Sequence, residues 1–164
     1  EELAIAGADT FIRVGTSGPM QDFIETGDLL IAWGAIRDEY TSKQYMPPEY
    51  PAVADLEVTL ALRQAARNRN VRHHVGITQS KDSFYGQHEP ERMPIARQLQ
   101  DRWQAWIAGG TICSEMEAST IFVITRILNC RSGGIMTSGH DLTHLLVTAI
   151  DGLKILIKQD IARR

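Results

Sequence analysis

Hydrophobic and polar residues follow two different periods along this chain, and the period changes several times. Short apolar runs closed by glycine or polar residues predict buried strands at 9–15, 27–37, 71–80 and 132–139. Apolar residues three or four positions apart predict helices at about 54–68, 94–108 and 117–128. The alternation predicts an α/β fold with a mixed, mostly parallel central sheet flanked by helices.

Two stretches refine this picture. The run GDLLIAWGAIR, residues 27–37, is apolar on both faces, which is typical of a strand covered by helices on both sides. A terminal helix carries a wide amphipathic stripe, made of Leu142, Leu145, Leu146, Ala149, Ile150, Leu153 and Ile157. In such folds ligands bind beyond the carboxyl ends of the strands, so we expect functional residues in the loops there.

Composition limits the possible partners. The chain has 164 residues, 43% of them hydrophobic and 23% charged, which suits one domain spanning residues 1–164. A net charge of −3 and the absence of a long basic block argue against a nucleic-acid partner. No apolar run is long enough for a membrane span, so no membrane partner is expected. Two isolated cysteines, Cys113 and Cys130, favour a reducing, cytoplasmic location.

The first candidate site is RVGTSG, residues 13–18, at the end of a predicted strand. Arginine offers a planar fork of donors that suits oxyanions, glycine lets backbone N–H groups approach a ligand, and hydroxyls add further donors. A phosphate would fit this set. An arginine above an ordinary GTSGP turn explains the pattern equally well.

The second candidate is SEMEAS, residues 114–119, where an apolar helix begins. A fixed carboxylate from Glu115 or Glu117 suits the neighbouring hydroxyls of a sugar, and Met116 offers a soft apolar surface. The simpler explanation is two acidic residues at a helix N-terminus, where the helix dipole favours negative charge.

The third candidate is the predicted loop SFYGQHEPER, residues 83–92. Phe84 can stack on a flat ring, and the Gln87 amide presents a donor beside an acceptor, as a pyrimidine edge requires. A surface loop with one aromatic anchor is the plainer interpretation. No histidine has metal-ligand spacing relative to another, so no metal is expected.

Four segments in order, FIRVGTSGPMQ…GDLL, PAVADLE, HVGIT…DSFYGQ and SEMEAS, resemble the nucleoside phosphorylases of the uridine phosphorylase type. The resemblance implies a phosphorylase/hydrolase-like sheet and an enzyme of pyrimidine nucleoside salvage. Phosphate would be the co-substrate, with no other cofactor, and uridine would yield uracil and ribose 1-phosphate. It also implies a homo-oligomer, either a dimer or a hexamer.

The same resemblance implies a role for each matching residue. The phosphate-binding residues would be Arg13 and Thr16, which with Glu117 form the catalytic set. Ribose would contact Thr16, Glu115, Met116 and Glu117. The base would contact Ser17, Gly18, Phe84, Gln87 and Arg92, although the loop is one residue shorter before Gln87 and differently spaced after it.

Two departures from the family pattern shape the expectations. The first third of the family sequence, with its Gly-Asp-Pro-x-Arg phosphate loop, has no counterpart in these 164 residues, so a domain truncated at its N-terminus is expected. The loop near 137–141, which closes over the base in the family, is shortened. The alternatives are a purine-type phosphorylase, a nucleosidase, or a non-catalytic relative that binds ligands or assembles oligomers.

Overall fold

The computed structural model describes residues 1–163, so residue 164, the last of the predicted domain, lies outside the described residues. The strands are β1 (Thr10–Pro19), β2 (Leu29–Asp38), β3 (Ala52–Val53), β4 (His73–Lys81), β5 (Cys113–Glu115) and β6 (Arg131–Ser138). The helices are α1 (Glu2–Ile5), α2 (Leu56–Asn68), α3 (Phe84–His88), α4 (Ala96–Ala108), α5 (Ala118–Ile127) and α6 (Thr143–Ala162). Short 3₁₀ turns lie at Thr41–Gln44 and Pro90–Arg92.

The strands form one sheet in the order β3-β2-β4-β5-β1-β6, and β2 also pairs with β6, so that five of them close a ring. The long pairings, β2 with β4 and β1 with β6, are parallel, as is β4 with β5. The antiparallel pairings of β2 with β3, β2 with β6 and β1 with β5 are short. The predicted mixed, mostly parallel α/β sheet is therefore confirmed.

Strand β2 lies at the centre of the core, as its continuous apolar run predicts. Leu30 and Ala32 pack with α5 on one face of the sheet. Leu29 and Ile31 pack with α2 and α6 on the other. All four side chains are fully buried. Alternate residues of a strand point to opposite faces, so a strand covered on both sides must be apolar throughout.

Helix α2 begins at Leu56, two residues later than the hydrophobic period predicts. The Asp55 side chain accepts hydrogen bonds from the backbone N–H groups of Glu57 and Val58, at 3.0 and 3.2 Å. This N-cap satisfies donors that have no partner inside the helix and sets where the helix starts. Helix α6 then packs closely on α2, since a Cβ atom at Gly152 would lie 2.8 Å from Leu62.

The prediction of a turn at GTSGP, residues 15–19, is wrong. Strand β1 continues through it to Pro19, because residues 15–17 pair with β6 and Gly18 pairs with Ser114 of β5. Turn residues thus lie in extended backbone, where pairing on both sides overrides their local preference. Arg13 consequently lies inside the strand and not at its end.

The predicted apolar stripe of α6 is only partly buried. Leu145 and Ala149 of the stripe face α2 and the sheet, together with Leu156, which the predicted stripe does not include. The rest of the stripe is between 40% and 52% exposed, at Leu142, Leu146, Ile150, Leu153 and Ile157. Within residues 1–163 no helix is both long enough and apolar enough to cross a bilayer.

Chain direction brings the candidate loops together. Because β2, β4 and β5 are parallel, their carboxyl ends at Asp38, Lys81 and Glu115 share one edge of the sheet. Strand β1 runs antiparallel to β5, with Gly18 opposite Ser114, so the residues before Gly18 extend past the end of β5. Arg13 therefore reaches the residues between β5 and α5.

Candidate active site

A cleft of about 480 Å³ opens at this edge of the sheet. It has the size of a small-molecule pocket. Eight of the ten predicted site residues line it, namely Arg13, Thr16, Ser17, Gly18, Phe84, Glu115, Met116 and Glu117. The remaining two, Gln87 and Arg92, do not line this cleft.

Arg13 joins the first two candidate motifs. Its Nη2 donates to Glu117 Oε2 at 2.7 Å, and its Nε lies 3.2 Å from Glu115 Oε2. Its guanidinium also approaches the carbonyl oxygen of Thr16 at 3.4 Å. The Arg13 side chain is 13% exposed, so it is held in place yet open to the cleft.

Glu115 is the buried partner. Its side chain is fully buried, and its Oε2 accepts hydrogen bonds from the backbone N–H groups of Glu117 and Ala118, at 2.8 and 2.9 Å. Its Oε1 accepts a hydrogen bond from the Ser80 hydroxyl. Glu115 thus caps the start of α5, as the helix N-terminus interpretation predicts for an acidic residue there.

Glu117 is the open partner. Its side chain is 54% exposed and faces the cleft, and Met116 beside it is half-buried. The chain passes from β5 into α5 between these residues, so Glu115 points under the helix end while Glu117 stays outside it. Two acidic residues separated by one position therefore have different surroundings.

The predicted loop at 83–92 contains a short helix, α3. The Ser83 side chain caps it by accepting a hydrogen bond from the Gly86 N–H at 2.9 Å. Phe84 is 52% exposed and faces the cleft. Its ring lies against His88, with ring centroids 4.1 Å apart and planes inclined by 34°. An exposed aromatic face of this kind can stack on a planar ligand.

Gln87 points into a second, smaller cavity of about 240 Å³ beside the cleft, between α3 and α4. Its amide lies 2.8 Å from the Ser114 hydroxyl, which also lies 2.5 Å from Gln79 Oε1. One hydroxyl proton cannot serve two amide oxygens. Gln79 is oriented because its Nε2 donates to Asp38 at 2.9 Å. We therefore assign the Gln87 amide nitrogen as the donor to Ser114, since amide ends are assigned from their partners.

Arg92 lies away from both cavities. Its Nη1 donates to Glu89 Oε2, three residues earlier, and its guanidinium lies 5.9 Å from the centre of the Tyr85 ring. These contacts hold it on the outer side of the 3₁₀ turn. Arg92 falls in this turn, beside Tyr85 of α3, and does not reach the cleft.

Lys81 is a site residue that the sequence motifs do not reveal. It is the last residue of β4, it is 6% exposed, and it is the one residue among 1–163 that lines both cavities. Burial lowers the pKa of its ammonium group, while Glu115 and Glu117 oppose the shift. Its position at the carboxyl end of a central strand is the sequence signal that could have identified it.

The far wall of the cleft comes from the end of β6. Gly139 and His140 line it, and four residues, 139–142, connect β6 to α6. The short connection from strand to helix is as predicted.

On the opposite side of the cleft, burial and the nearby Lys81 lower the pKa of His88, which favours its neutral form. Among residues 1–163 no three His, Cys, Asp or Glu residues are grouped to hold a metal ion.

Comparison with known proteins identifies the family of this site. The sequence profile described as the phosphorylase superfamily matches residues 1–150. The chain belongs to the phosphorylase superfamily. This confirms the resemblance seen in the four ordered segments, and the mixed sheet agrees with it.

Individual phosphorylases align with most of the chain. A uridine phosphorylase of Treponema pallidum is 45% identical over 99% of the chain and 69% of its own length. A uridine phosphorylase of Thermococcus kodakarensis is 53% identical over 81% of the chain and 49% of its own length. A guanosine phosphorylase of Halorubrum lacusprofundi is 37% identical over 84% of the chain and 52% of its own length. The chain thus spans about half the length of the last two relatives.

Proposed function

We propose that this phosphorylase superfamily chain carries the cleft of a uridine phosphorylase, which cleaves uridine with phosphate to give uracil and ribose 1-phosphate. The observation that carries the proposal is the convergence of Arg13 and Thr16 of β1 with Glu117 at the start of α5 on one cleft. The names of the Treponema and Thermococcus relatives support uridine as the nucleoside.

Phosphate is proposed to bind at Arg13 and Thr16. Both residues line the cleft, Thr16 is exposed, and the Arg13 guanidinium lies 3.4 Å from the Thr16 carbonyl oxygen. In the free chain both carboxylates of Glu115 and Glu117 face Arg13, so two negative charges already surround the one positive charge. An incoming anion therefore requires the exposed Glu117 to turn away from Arg13.

The ribose hydroxyls are proposed to bind the Glu117 carboxylate once it has turned away from Arg13. Glu117 can then accept hydrogen bonds from two adjacent sugar hydroxyls, because a carboxylate is an acceptor only. Met116 lines the same part of the cleft and offers an apolar surface to the sugar ring. Glu115 contributes from beneath by holding Arg13 and the start of α5.

The base is proposed to stack on Phe84, with Ser17 and Gly18 beside it and the Gln87 amide at its edge. Phe84, Ser17 and Gly18 all line the cleft. Gln87 reaches the cleft wall through Ser114, which itself lines the cleft. Arg92 can join this set only if the 3₁₀ turn moves, since its present contacts are to Glu89 and Tyr85.

The reaction needs positioning and charge stabilisation, with no covalent intermediate. An oxygen of hydrogen phosphate forms a bond to the anomeric carbon as the bond from that carbon to uracil N1 breaks. The electron pair of the broken bond stays on the base. The proton of hydrogen phosphate is released, and uracil N1 takes up a proton, so ribose 1-phosphate and neutral uracil result.

The test is uridine cleavage by the whole chain, followed by chromatography of uracil, with and without phosphate. Glu117→Ala is expected to lower kcat/KM by roughly 100-fold or more, as the loss of a group that positions the reacting sugar does. Glu91→Ala is the matched control, because Glu91 is an exposed glutamate outside the cleft. Phosphate-dependent cleavage that is unchanged by Glu117→Ala contradicts the role of Glu117.

A purine-type phosphorylase is the second candidate, because the Halorubrum relative is a guanosine phosphorylase. Inosine and guanosine are compared with uridine at equal concentrations. A higher kcat/KM for the purine nucleosides would replace uridine with a purine substrate and leave the phosphate and ribose sites as proposed. Base release that does not depend on phosphate would indicate a nucleosidase.

Three wider features belong to the same proposal. Residues 1–164 act as one domain of the superfamily, supported by a sheet that joins all the described strands. The chain assembles into a dimer or hexamer, supported by the exposed apolar side of α6, and light scattering of the purified chain tests this. It works in the cytoplasm, supported by two unpaired cysteines, Cys113 and Cys130.

A further inference from the structure

Lys81 is a buried cation that the roles proposed above do not use. It ends β4 at the sheet edge where the cleft opens, and 94% of its surface is buried, since it is 6% exposed. Lysine is rarely buried to this degree without a charged partner. Burying its ammonium group costs desolvation free energy, which suggests that the group has a function in the cleft.

The donors of Lys81 are mostly unused. Its Nζ donates to the Ser114 hydroxyl oxygen at 2.7 Å, and no second hydrogen bond or carboxylate contact within 4.0 Å is found among residues 1–163. An ammonium group has three N–H donors. Two of them are therefore available to a ligand, and the side chain lines both the cleft and the smaller cavity.

Lys81 and Gln87 meet at one hydroxyl group. The Lys81 Nζ lies 2.7 Å and the Gln87 amide 2.8 Å from the Ser114 Oγ. The Lys81 ammonium and the end of Gln87 thus flank the same point of the cleft wall. A base edge that reaches Gln87 comes within hydrogen-bonding reach of Lys81.

No arginine serves this corner in the described chain. Arg92 lies outside both cavities, and Arg13 is held by two carboxylates and the Thr16 carbonyl. Arg102 lines the smaller cavity but is paired with Asp38. Lys81, which donates to Ser114 alone among residues 1–163, is the cation of this corner that keeps two donors for a ligand.

We propose that Lys81 donates a hydrogen bond to a carbonyl oxygen of the departing base and stabilises its developing negative charge. The inference rests on the proposed phosphorolysis and adds a catalytic residue to it. When the bond between the anomeric carbon and N1 breaks, the electron pair spreads from N1 onto the carbonyl oxygens of the pyrimidine. The interaction of a cation with such an oxygen in a buried site becomes stronger as negative charge develops on that oxygen. Lys81 keeps its proton throughout.

The test compares two leaving groups in the same enzyme. Fluorine at position 5 withdraws electrons, so the base of 5-fluorouridine departs with less help than uracil. Lys81→Met is expected to lower kcat/KM for uridine by about 100-fold, the typical loss for one donor to a developing oxyanion, and for 5-fluorouridine by only about 10-fold. Lys81→Arg, which keeps the charge, is expected to restore part of the loss.

Two controls separate this role from a structural one. Lys154→Met removes an exposed lysine of α6, with a side chain 66% exposed, and is expected to leave both rates unchanged. Lys81→Gln is measured in parallel, so that poor folding of the methionine variant does not decide the result. Circular dichroism of each variant verifies the fold.

The outcomes distinguish the two proposals. A Lys81→Met loss that is larger for uridine than for 5-fluorouridine supports the role of Lys81. Equal losses on both substrates, or no loss, overturn it while the proposed function stands. A wild-type chain that cleaves no nucleoside in phosphate overturns the proposed function, and the role of Lys81 with it.

Discussion

Replacing Glu115 with alanine tests whether this carboxylate holds the site together instead of binding substrate. The substitution removes the acceptor for two backbone N–H groups at the start of α5 and for the Ser80 hydroxyl. It also removes the fully buried partner of Arg13, which is itself 13% exposed. The two backbone N–H groups and the Ser80 hydroxyl lose this acceptor away from bulk water, whereas Arg13 keeps its contact with Glu117.

The magnitude follows from these contacts. Loss of a helix cap costs about 1 kcal/mol, and breaking a buried ion pair by removing one partner costs about 3–5 kcal/mol. Because Arg13 keeps Glu117, the full ion-pair cost is an upper limit, and the two losses share one carboxylate and are not additive. We therefore expect a decrease of about 2–4 kcal/mol in the free energy of unfolding. That is a large fraction of the roughly 5–15 kcal/mol that stabilises a typical domain.

Glu117 is a matched control two residues away. It contacts the same arginine, but its side chain is 54% exposed, and exposed ion pairs contribute about 0–1 kcal/mol. Glu117→Ala should therefore lower the free energy of unfolding by less than about 1 kcal/mol while removing most of the activity. Glu115→Gln keeps one oxygen acceptor and is expected to lie between wild type and Glu115→Ala in stability.

Urea unfolding followed by far-ultraviolet circular dichroism at pH 7 measures all three variants. The fitted dependence on urea concentration gives the free energy of unfolding of each. A Glu115→Ala variant within about 1 kcal/mol of wild type refutes the structural role. A Glu117→Ala variant as unstable as Glu115→Ala refutes the division of roles between the two glutamates.

Two further predictions come from buried titratable groups. Burial lowers the Lys81 pKa, so folding is penalised while the group is an ammonium ion, and Lys81→Met should be more stable than wild type at pH 7. Unfolding measured at several pH values should show this stability difference shrinking as the pH rises from the lowered folded pKa to the unfolded value near ~10.4. The groups that face Lys81 are Glu115, Glu117, Cys113, Asp38 and His88. Burial raises the pKa of Cys113 to about 11, so only Cys130 of the native chain should react rapidly with a disulfide reagent at pH 8. Two thiols that react at the same rate would contradict this prediction.

The elements with strong periods could be predicted from the sequence. The apolar run of β2 and the amphipathic helices α2, α4 and α5 follow from the hydrophobic pattern, within a few residues at each end. The two-residue strand β3 could not be predicted, because it depends on pairing with Gly34 and Ala35 of β2. The course of β1 through GTSGP depends in the same way on strands distant in the chain.

The site was predictable to a similar extent. Motifs on different elements converge because β2, β4 and β5 end at one edge and antiparallel β1 passes beyond the end of β5, which brings predicted residues such as Arg13 and Glu117 to one cleft. The orientation of Gln87 was not predictable, since it follows from α3 and from contact with Ser114, 27 residues later. Lys81 belongs to no quoted motif, and its importance comes from burial and from the two cavities around it.

The two glutamates of SEMEAS explain how a preformed cleft can still admit an anion. Arg13 lies between a carboxylate that is buried and held by three hydrogen bonds and one that is exposed. Buried Glu115 fixes the guanidinium and the start of α5 at all times, so the site needs no substrate to form. Exposed Glu117 is a second carboxylate on Arg13 in the free chain, and releasing this contact costs only about 0–1 kcal/mol in water. In the proposed complex, sugar hydroxyls donate to Glu117 in place of Arg13, which offsets that cost and leaves the guanidinium open to phosphate. Nucleoside and phosphate are therefore expected to favour each other's binding.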